Sequence, residues 1–179
     1  MFMELEKNNV KYLLMGLDNA GKTSILLSLD KNTNLMRFYS INPTRGYQIK
    51  NVENIANIIS IWDFGGQAQF RSEHLQNFNR FLPQTDKLIF VIDVQDIPRY
   101  EEAIEFLNQI IHKIQEQNHT LSISIFFHKY DPGIEETLPS LIVEEIPKLE
   151  QKVREIIPKD FNLEFFTTTI FTVFHKNPL

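Results

Sequence analysis

Eight consecutive residues, Gly16-Leu17-Asp18-Asn19-Ala20-Gly21-Lys22-Thr23, concentrate more chemistry than any other stretch of this 179-residue chain. They match the pattern G-x-x-x-x-G-K-[ST]. Two glycines let the backbone curl until several N–H groups point inward and form an anion nest. A helix that starts immediately afterwards aims the positive end of its dipole at the same point. Asp18, Asn19, Ala20, Gly21 and Ser24 belong to this cradle. Lys22 can reach the β- and γ-phosphates of a nucleotide, and the Thr23 hydroxyl can ligate Mg²⁺. Chance matches to the pattern exist, but here an apolar strand precedes it and Ile25, Leu26, Leu27 and Leu29 follow as a helix start.

A second group lies about forty residues on. Ile58 to Ile61 leads into Trp62-Asp63-Phe64-Gly65-Gly66-Gln67. An acidic residue at the end of a buried strand beside a phosphate loop can orient Mg²⁺ through water. Gly66 would let a backbone N–H approach the γ-phosphate, and Gln67 is the right group to orient an attacking water. The competing reading is an ordinary turn with Asp63 as a helix cap. Between the two groups, Thr44 in Asn42-Pro43-Thr44-Arg45-Gly46 can close the Mg²⁺ shell.

A third group can read a base. In His128-Lys129-Tyr130-Asp131 the Asp131 carboxylate can accept both the N1–H and the exocyclic amine of guanine, which adenine cannot offer in that arrangement. A pocket built this way rejects the wrong base because its own acceptor is left unpaired. The stem of Lys129 can lie across the purine. Thr167-Thr168-Thr169-Ile170 offers the backbone N–H groups of Thr169 and Ile170 to the guanine carbonyl, or is simply a β-branched strand end.

Alternating elements must position these groups. Val10–Met15 reads as a first strand and Lys22–Leu29 as a helix. Tyr47–Val52 and Asn57–Asp63 are the next strands, and Phe64–Phe70 reads as a polar, Gly-containing stretch. Lys87–Val94 is a continuous apolar run, as expected for a strand buried on both faces. Tyr100, Ala103, Ile104, Leu107, Ile110, Ile111 and Ile114 recur at helical spacing behind Asp96 and Pro98. Leu121–Phe127 is a further strand, a helix starts near Pro147 and stops at Pro158, and Leu163–Thr168 is the last strand. Strands alternating with helices predict an α/β, doubly wound, mostly parallel sheet. The length suits a single domain over residues 1–179.

Composition narrows the rest. The net charge of −5 argues against nucleic acid as a partner, and the absence of cysteine excludes thiolate metal sites. No apolar run is long enough to span a bilayer, and no signal-peptide pattern opens the chain. Residue 2 is Phe2, so glycine myristoylation is excluded, and no lipidation signal is present. The expectation is a cytoplasmic protein, peripheral at membranes at most. The histidines (His74, His112, His119, His128 and His175) show no metal spacing and read as surface or loop residues. Trp62 reads as core or switch-hinge packing. Phe64, Phe70, Phe78 and Phe81 read either as buried or as an exposed effector surface. Glu101, Glu102 and Glu105 read as a solvated helix face.

In this order the motifs resemble those of the Ras-like small GTPases over about residues 10–171. The phosphate loop is similar to the Arf branch nearly residue for residue, and Trp62–Gln67 to both Arf and Rag/Gtr proteins. His128-Lys129-Tyr130-Asp131, with His where most relatives have Asn, looks like the Rag/Gtr version. The resemblance implies a P-loop fold with a six-stranded sheet, and GTP, GDP and Mg²⁺ as ligands. It also implies loops around Thr44 and around Gln67 to Arg80 that order with the γ-phosphate. Slow turnover would await an activating protein, with effectors and exchange factors as further partners. A homo- or heterodimer with a related GTPase stays open. The ten residues after Thr169, ended by Pro178, leave the usual last helix short or missing, with Ile170, Phe171 and Phe174 in its first turn and an apolar patch beside it. An N-terminal anchor of Phe2, Met3 and Leu5 is rudimentary. Three functions compete: a switch, a non-cycling nucleotide-bound scaffold or dimerisation subunit, and a P-loop kinase or ATPase, which Asp131 disfavours.

Overall fold

The computed structural model describes residues 8–30, 32–53 and 56–171. Its strands are β1 (Asn8–Gly16), β2 (Tyr47–Glu53), β3 (Asn57–Phe64), β4 (Lys87–Asp93), β5 (Ser122–His128) and β6 (Leu163–Thr168), and they form one sheet in the order β2-β3-β1-β4-β5-β6. Among the described residues only the β2–β3 pair is antiparallel; β1 lies parallel to both β3 and β4. From β1 the chain winds to one side through β2 and β3, then crosses to the other through β4, β5 and β6. The crevice at the carboxyl end of β1 is therefore the place where a doubly wound sheet binds its ligand.

The helices are α1 (Lys22–Ser28), α2 (Leu35–Tyr39), α3 (Ala68–Gln76), α4 (Phe78–Phe81), α5 (Tyr100–Gln115), α6 (Ile134–Thr137) and α7 (Ile146–Ile156). A 3₁₀ turn, Ile97–Arg99, carries Pro98 into α5. Tyr100, Ala103, Phe106, Leu107, Ile110, Ile111 and Ile114 are buried along one α5 face. Each large apolar side chain among them contributes about 1.5–3 kcal/mol relative to exposure. Glu101 and Glu102 sit in the first turn, and His112 and Lys113 in the last, as the helix dipole favours. Before α7, Leu141–Glu145 forms a π-helical turn that runs directly into the helix. Pro147 falls directly behind that turn, and the chain stays helical through it, so the π-helical turn stands where the sequence reading expects a break before the helix.

The sheet has unequal faces. The larger core packs Leu13, Met15, Phe90, Ile92, Ile123 and Ile125 against α5 and α7. The smaller one, Leu14, Ala20, Leu26, Ile61 and Val91, lies under α1. On that second face Ile89 and Phe126 are half-buried and Phe166 is exposed. Thr169–Phe171 carry no helix, so Ile170 and Phe171 are not in the expected first turn. Phe174, and the N-terminal Phe2, Met3 and Leu5, lie outside the described residues.

Three expectations are corrected here. Phe64–Phe70 is not merely a polar stretch, because α3 begins within it at Ala68. Phe64, Phe78 and Phe81 are buried, which decides against an exposed aromatic surface for those three. His74 and His128 are 2% and 3% exposed, so neither is a surface histidine.

Candidate functional site

The phosphate loop leaves β1 at Gly16 and enters α1 through Gly21, whose φ of 91° is a left-handed conformation open to glycine. A Cβ at Gly16 would stand 2.3 Å from the Val91 carbonyl oxygen, so only glycine lets the loop turn against β4. Lys22 is 6% exposed. Its ammonium donates to the carbonyls of Gly16 at 3.0 Å and Leu17 at 2.6 Å, folding the side chain back over its own loop. The loop and α1 open onto a cavity of about 240 Å³ lined in part by Asp18, Asn19, Gly21, Lys22, Thr23 and Ser24. Its other wall is formed by Thr44, Gly66 and Gln67. Ala20 faces the smaller core instead.

Asp63 is fully buried at the end of β3. Its Oδ2 accepts from Thr23 Oγ1 at 2.8 Å, from Gln48 Nε2 at 2.8 Å and from Thr44 Oγ1 at 3.3 Å. The two threonine hydroxyls are 3.1 Å apart. Asp63 Oδ1 has no hydrogen-bond partner among the described residues. Two hydroxyls and a buried carboxylate with an oxygen to spare make a hard, all-oxygen donor set, which fits Mg²⁺. Gln48 escaped the sequence reading. The antiparallel register sets it opposite Asp63, a signal available only once that pairing is known.

Gly66 fits against the phosphate loop. A Cβ there would lie 2.3 Å from Asp18 N and 2.3 Å from the Leu17 carbonyl carbon. Gln67 is the N-cap residue of α3, at the mouth of the cavity. An ion chain ties α3 to the loop from the far side. Arg99 Nη2 contacts Asp18 Oδ1 at 2.6 Å, Arg99 Nε contacts Glu102 at 2.9 Å, and Glu102 also pairs with Arg71 of α3. Glu102 and then Asp18 raise the Arg99 pKa, and the two arginines hold Glu102 below the usual carboxylate range. Glu102 is thus a bridging residue rather than a purely solvated one, and neither Arg99 nor Arg71 was singled out from sequence.

The residues expected to read a base gather at the ends of β5 and β6. His128 Nδ1 lies 2.9 Å from Thr168 Oγ1, and its ring packs so closely on Gly21 that a Cβ there would be 2.4 Å from Cδ2. Burial first, and then Lys129, pushes the His128 pKa down against the opposing pull of Asp93 and Asp131. Lys129 has a left-handed φ of 63° and pairs with Asp93 at 2.6 Å. Asp131 Oδ1 accepts from the Thr169 hydroxyl at 2.5 Å. Ile170 stands next along the chain, half-buried.

The description "ADP-ribosylation factor family" fits residues 1–170 of this sequence, nearly its whole length. The chain belongs to the Arf family. Over 130 residues it is 34% identical to ADP-ribosylation factor-like protein 3 of Chlamydomonas reinhardtii, covering 72% of this chain and 67% of that one. Over 123 residues it is 33% identical to the protein of the same name in Caenorhabditis elegans, covering 68% and 61%. The match therefore spans roughly two thirds of those relatives' length. In fold it is similar to the Arl6 (BBS3) small GTPase of Trypanosoma brucei with the bound nucleotide analogue GppNp. The TM-score is 0.66 at 22% identity, over 90% of this chain and 87% of that one. As an Arf-family protein it is a small GTPase whose ligands are GTP or GDP with Mg²⁺. Among the described residues no helix is long and apolar enough to cross a membrane.

Burial pushes the Lys22 pKa down to about 8, with Asp63 and Asp18 opposing the shift. Phosphates bound at Lys22 would favour the ammonium, so nucleotide binding there would take up a proton wherever free Lys22 is neutral. GDP affinity should hold from about pH 7 to 8 and then fall by up to about tenfold per unit above pH 8. The sign for the nucleotide-free fold is opposite: between about pH 8 and 10.5 the unfolded chain holds the extra proton, so stability rises there with pH. Fluorescent GDP titrations across this range check the first statement, and a profile flat through pH 9 would remove Lys22 from phosphate binding.

Proposed function

We propose that this Arf-family protein is a GTP-operated switch whose working residues are those gathered around the β1 crevice. The observation that carries the proposal is the meeting of Thr23, Thr44 and Asp63 within 2.8–3.3 Å, which places the Thr44 loop against the phosphate loop. Asp18 to Ser24 cradle the phosphates through backbone N–H groups, and Lys22 holds the β- and γ-phosphates. Thr23, Thr44 and Asp63 hold Mg²⁺, which when bound neutralises developing charge on the phosphates. The Gly66 N–H meets the γ-phosphate, and the Gln67 amide orients the attacking water. His128, Lys129 and Asp131 take the guanine, with the backbone of Thr169 and Ile170 at its carbonyl. We read residues 1–179 as one G domain.

Loss of the γ-phosphate removes the group that Gly66 addresses and with which Thr44 closes the Mg²⁺ shell, so the two loops are released together. Partners that sense them are effector, exchange and activating proteins, and a related GTPase is a candidate dimer partner. His128 is the feature we read as Rag-like. The working place is the cytoplasm, with peripheral membrane contact allowed.

The test is direct. Purified protein is denatured, its base identified by chromatography, and phosphate release from GTP and Mg²⁺ followed beside Gln67→Leu. Guanine nucleotide is expected, with slow release that falls by roughly tenfold or more in the variant, the value of about 1.4 kcal/mol at the barrier. Nucleotide that neither exchanges nor turns over would make the chain a scaffold, and adenine nucleotide would refute the role of Asp131.

A further inference from the structure

Asp93 and Gln95, at the exit of β4, belong to none of the nucleotide motifs above, yet they converge on the base-reading loop. Asp93 Oδ1 accepts from the Gln95 backbone N–H at 3.0 Å, and Asp93 Oδ2 accepts from Lys129 Nζ at 2.6 Å. The Gln95 side-chain amide then donates to the Lys129 carbonyl at 2.7 Å and to Asp131 Oδ2 at 3.1 Å. On the other side of the same carboxylate, Thr169 Oγ1 donates to Oδ1 at 2.5 Å. One ring of contacts therefore joins three loops, at the ends of β4, β5 and β6.

Two features of this ring need an explanation. Lys129 is held at a φ of 63°, which a side-chain-bearing residue rarely adopts without support. Gln95 bonds the carbonyl of that residue directly. Asp131 has no backbone donor to fix the plane of its carboxylate in the contacts described, but it has one side-chain donor at each oxygen. An ionised carboxylate offers about four lone-pair sites. Gln95 and Thr169 take one on each oxygen, which leaves one on each for a ligand carrying two adjacent N–H donors.

We infer, with Asp131 as the guanine acceptor of the proposed function, that Gln95 is a positioning residue for base recognition, its amide locking the Asp131 carboxylate and the Lys129 backbone in the geometry guanine meets. Guanine presents N1–H and the 2-amine side by side and uses both oxygens. Hypoxanthine keeps N1–H and lacks the amine, so it needs only one. A carboxylate free to rotate still offers one oxygen at little loss but matches two donors poorly. Removing the lock must therefore weaken GDP more than IDP.

The experiment measures equilibrium affinities of GDP, IDP and ADP for the wild-type chain, Gln95→Ala and Thr169→Val, with Mg²⁺ present throughout. Gln95 is exposed, so its truncation leaves the core intact. Thr169→Val removes the hydroxyl and retains the backbone N–H. Gln95→Ala should weaken GDP by about tenfold, the scale of one hydrogen bond to a charged group. It should weaken IDP by less than about threefold on the same reasoning, so that the GDP/IDP ratio shrinks, and Thr169→Val should shrink it in the same direction. Equal loss of GDP and IDP would reduce Gln95 to a general support for the loop and overturn the inference. Unchanged GDP affinity would do the same. Raised GDP affinity would show the Gln95 amide competing with guanine, which also overturns it. A wild-type chain that binds ADP as well as GDP would instead fail the reading of Asp131 itself, a result visible before any variant is made.

Discussion

Asp131→Asn is expected to transfer base preference from guanine to xanthine. The carboxylate is placed as a pure acceptor: Thr169 and Gln95 both donate to it, and a guanine edge adds two more donors. An amide has one acceptor oxygen and one donor nitrogen, so one of guanine's N–H groups would face another N–H. Xanthine, with a carbonyl where guanine has its amine, meets the amide with the right polarity at both atoms. A site built around hydrogen bonds discriminates against a ligand that leaves them unpaired by on the order of 10⁴. Competition between GDP and XDP for the purified variant reads the ratio directly. A variant that still prefers GDP would place the base elsewhere.

The second large effect is expected from a single methyl group. In Gly66→Ala the new Cβ falls 2.3 Å from Asp18 N and 2.5 Å from the Leu17 carbonyl oxygen. Both belong to the backbone of the phosphate loop, so no side chain can swing away. Either the loop or the start of α3 must shift, and Gln67 shifts with it. A displacement of about 1 Å at reacting atoms is worth on the order of 10² in rate. GTP hydrolysis in a single turnover should fall by about that factor. GDP affinity should fall by less than hydrolysis does, because on the proposed reading GDP lacks the phosphate that Gly66 addresses. Hydrolysis at the wild-type rate would mean that Gly66 never comes close to the γ-phosphate.

These two residues also mark what the sequence makes readable. The phosphate loop, β4 and α5 each carry a local pattern: glycines at fixed spacing, an unbroken apolar run, and apolar residues at helical steps. Helix α3 carries none. Only His74 of its nine residues is buried, and its average composition is polar. It is held from outside, by His74 against Phe64 and Phe81 and by Arg71 pairing with Glu102. The single turns α4 and α6, and the five-residue α2, are too short for periodicity to register. The site divides in the same way. Lys22, Thr23, Asp63 and Asp131 announce themselves through motifs. Gln48 meets Asp63 from 15 positions away, Gln95 meets Asp131 from 36, and Arg99 meets Asp18 from 81. Contacts of that range are set by strand order and register.

The buried Lys22 ammonium and the spare oxygen of Asp63 have a further consequence, on the lifetime of the protein itself. On the proposed reading both groups would be more favourably placed with phosphate and metal present, and the filled chain would be a sturdier object than the empty one. A ligand bound only by the folded form adds RT ln(1 + [L]/Kd), about 4 kcal/mol at a thousandfold excess over Kd. That increment is comparable to the whole folding free energy of a marginal domain. The concentration of intact protein in a cell would then follow the supply of guanine nucleotide, and a chelator added during purification would shorten its survival before touching any signal it carries.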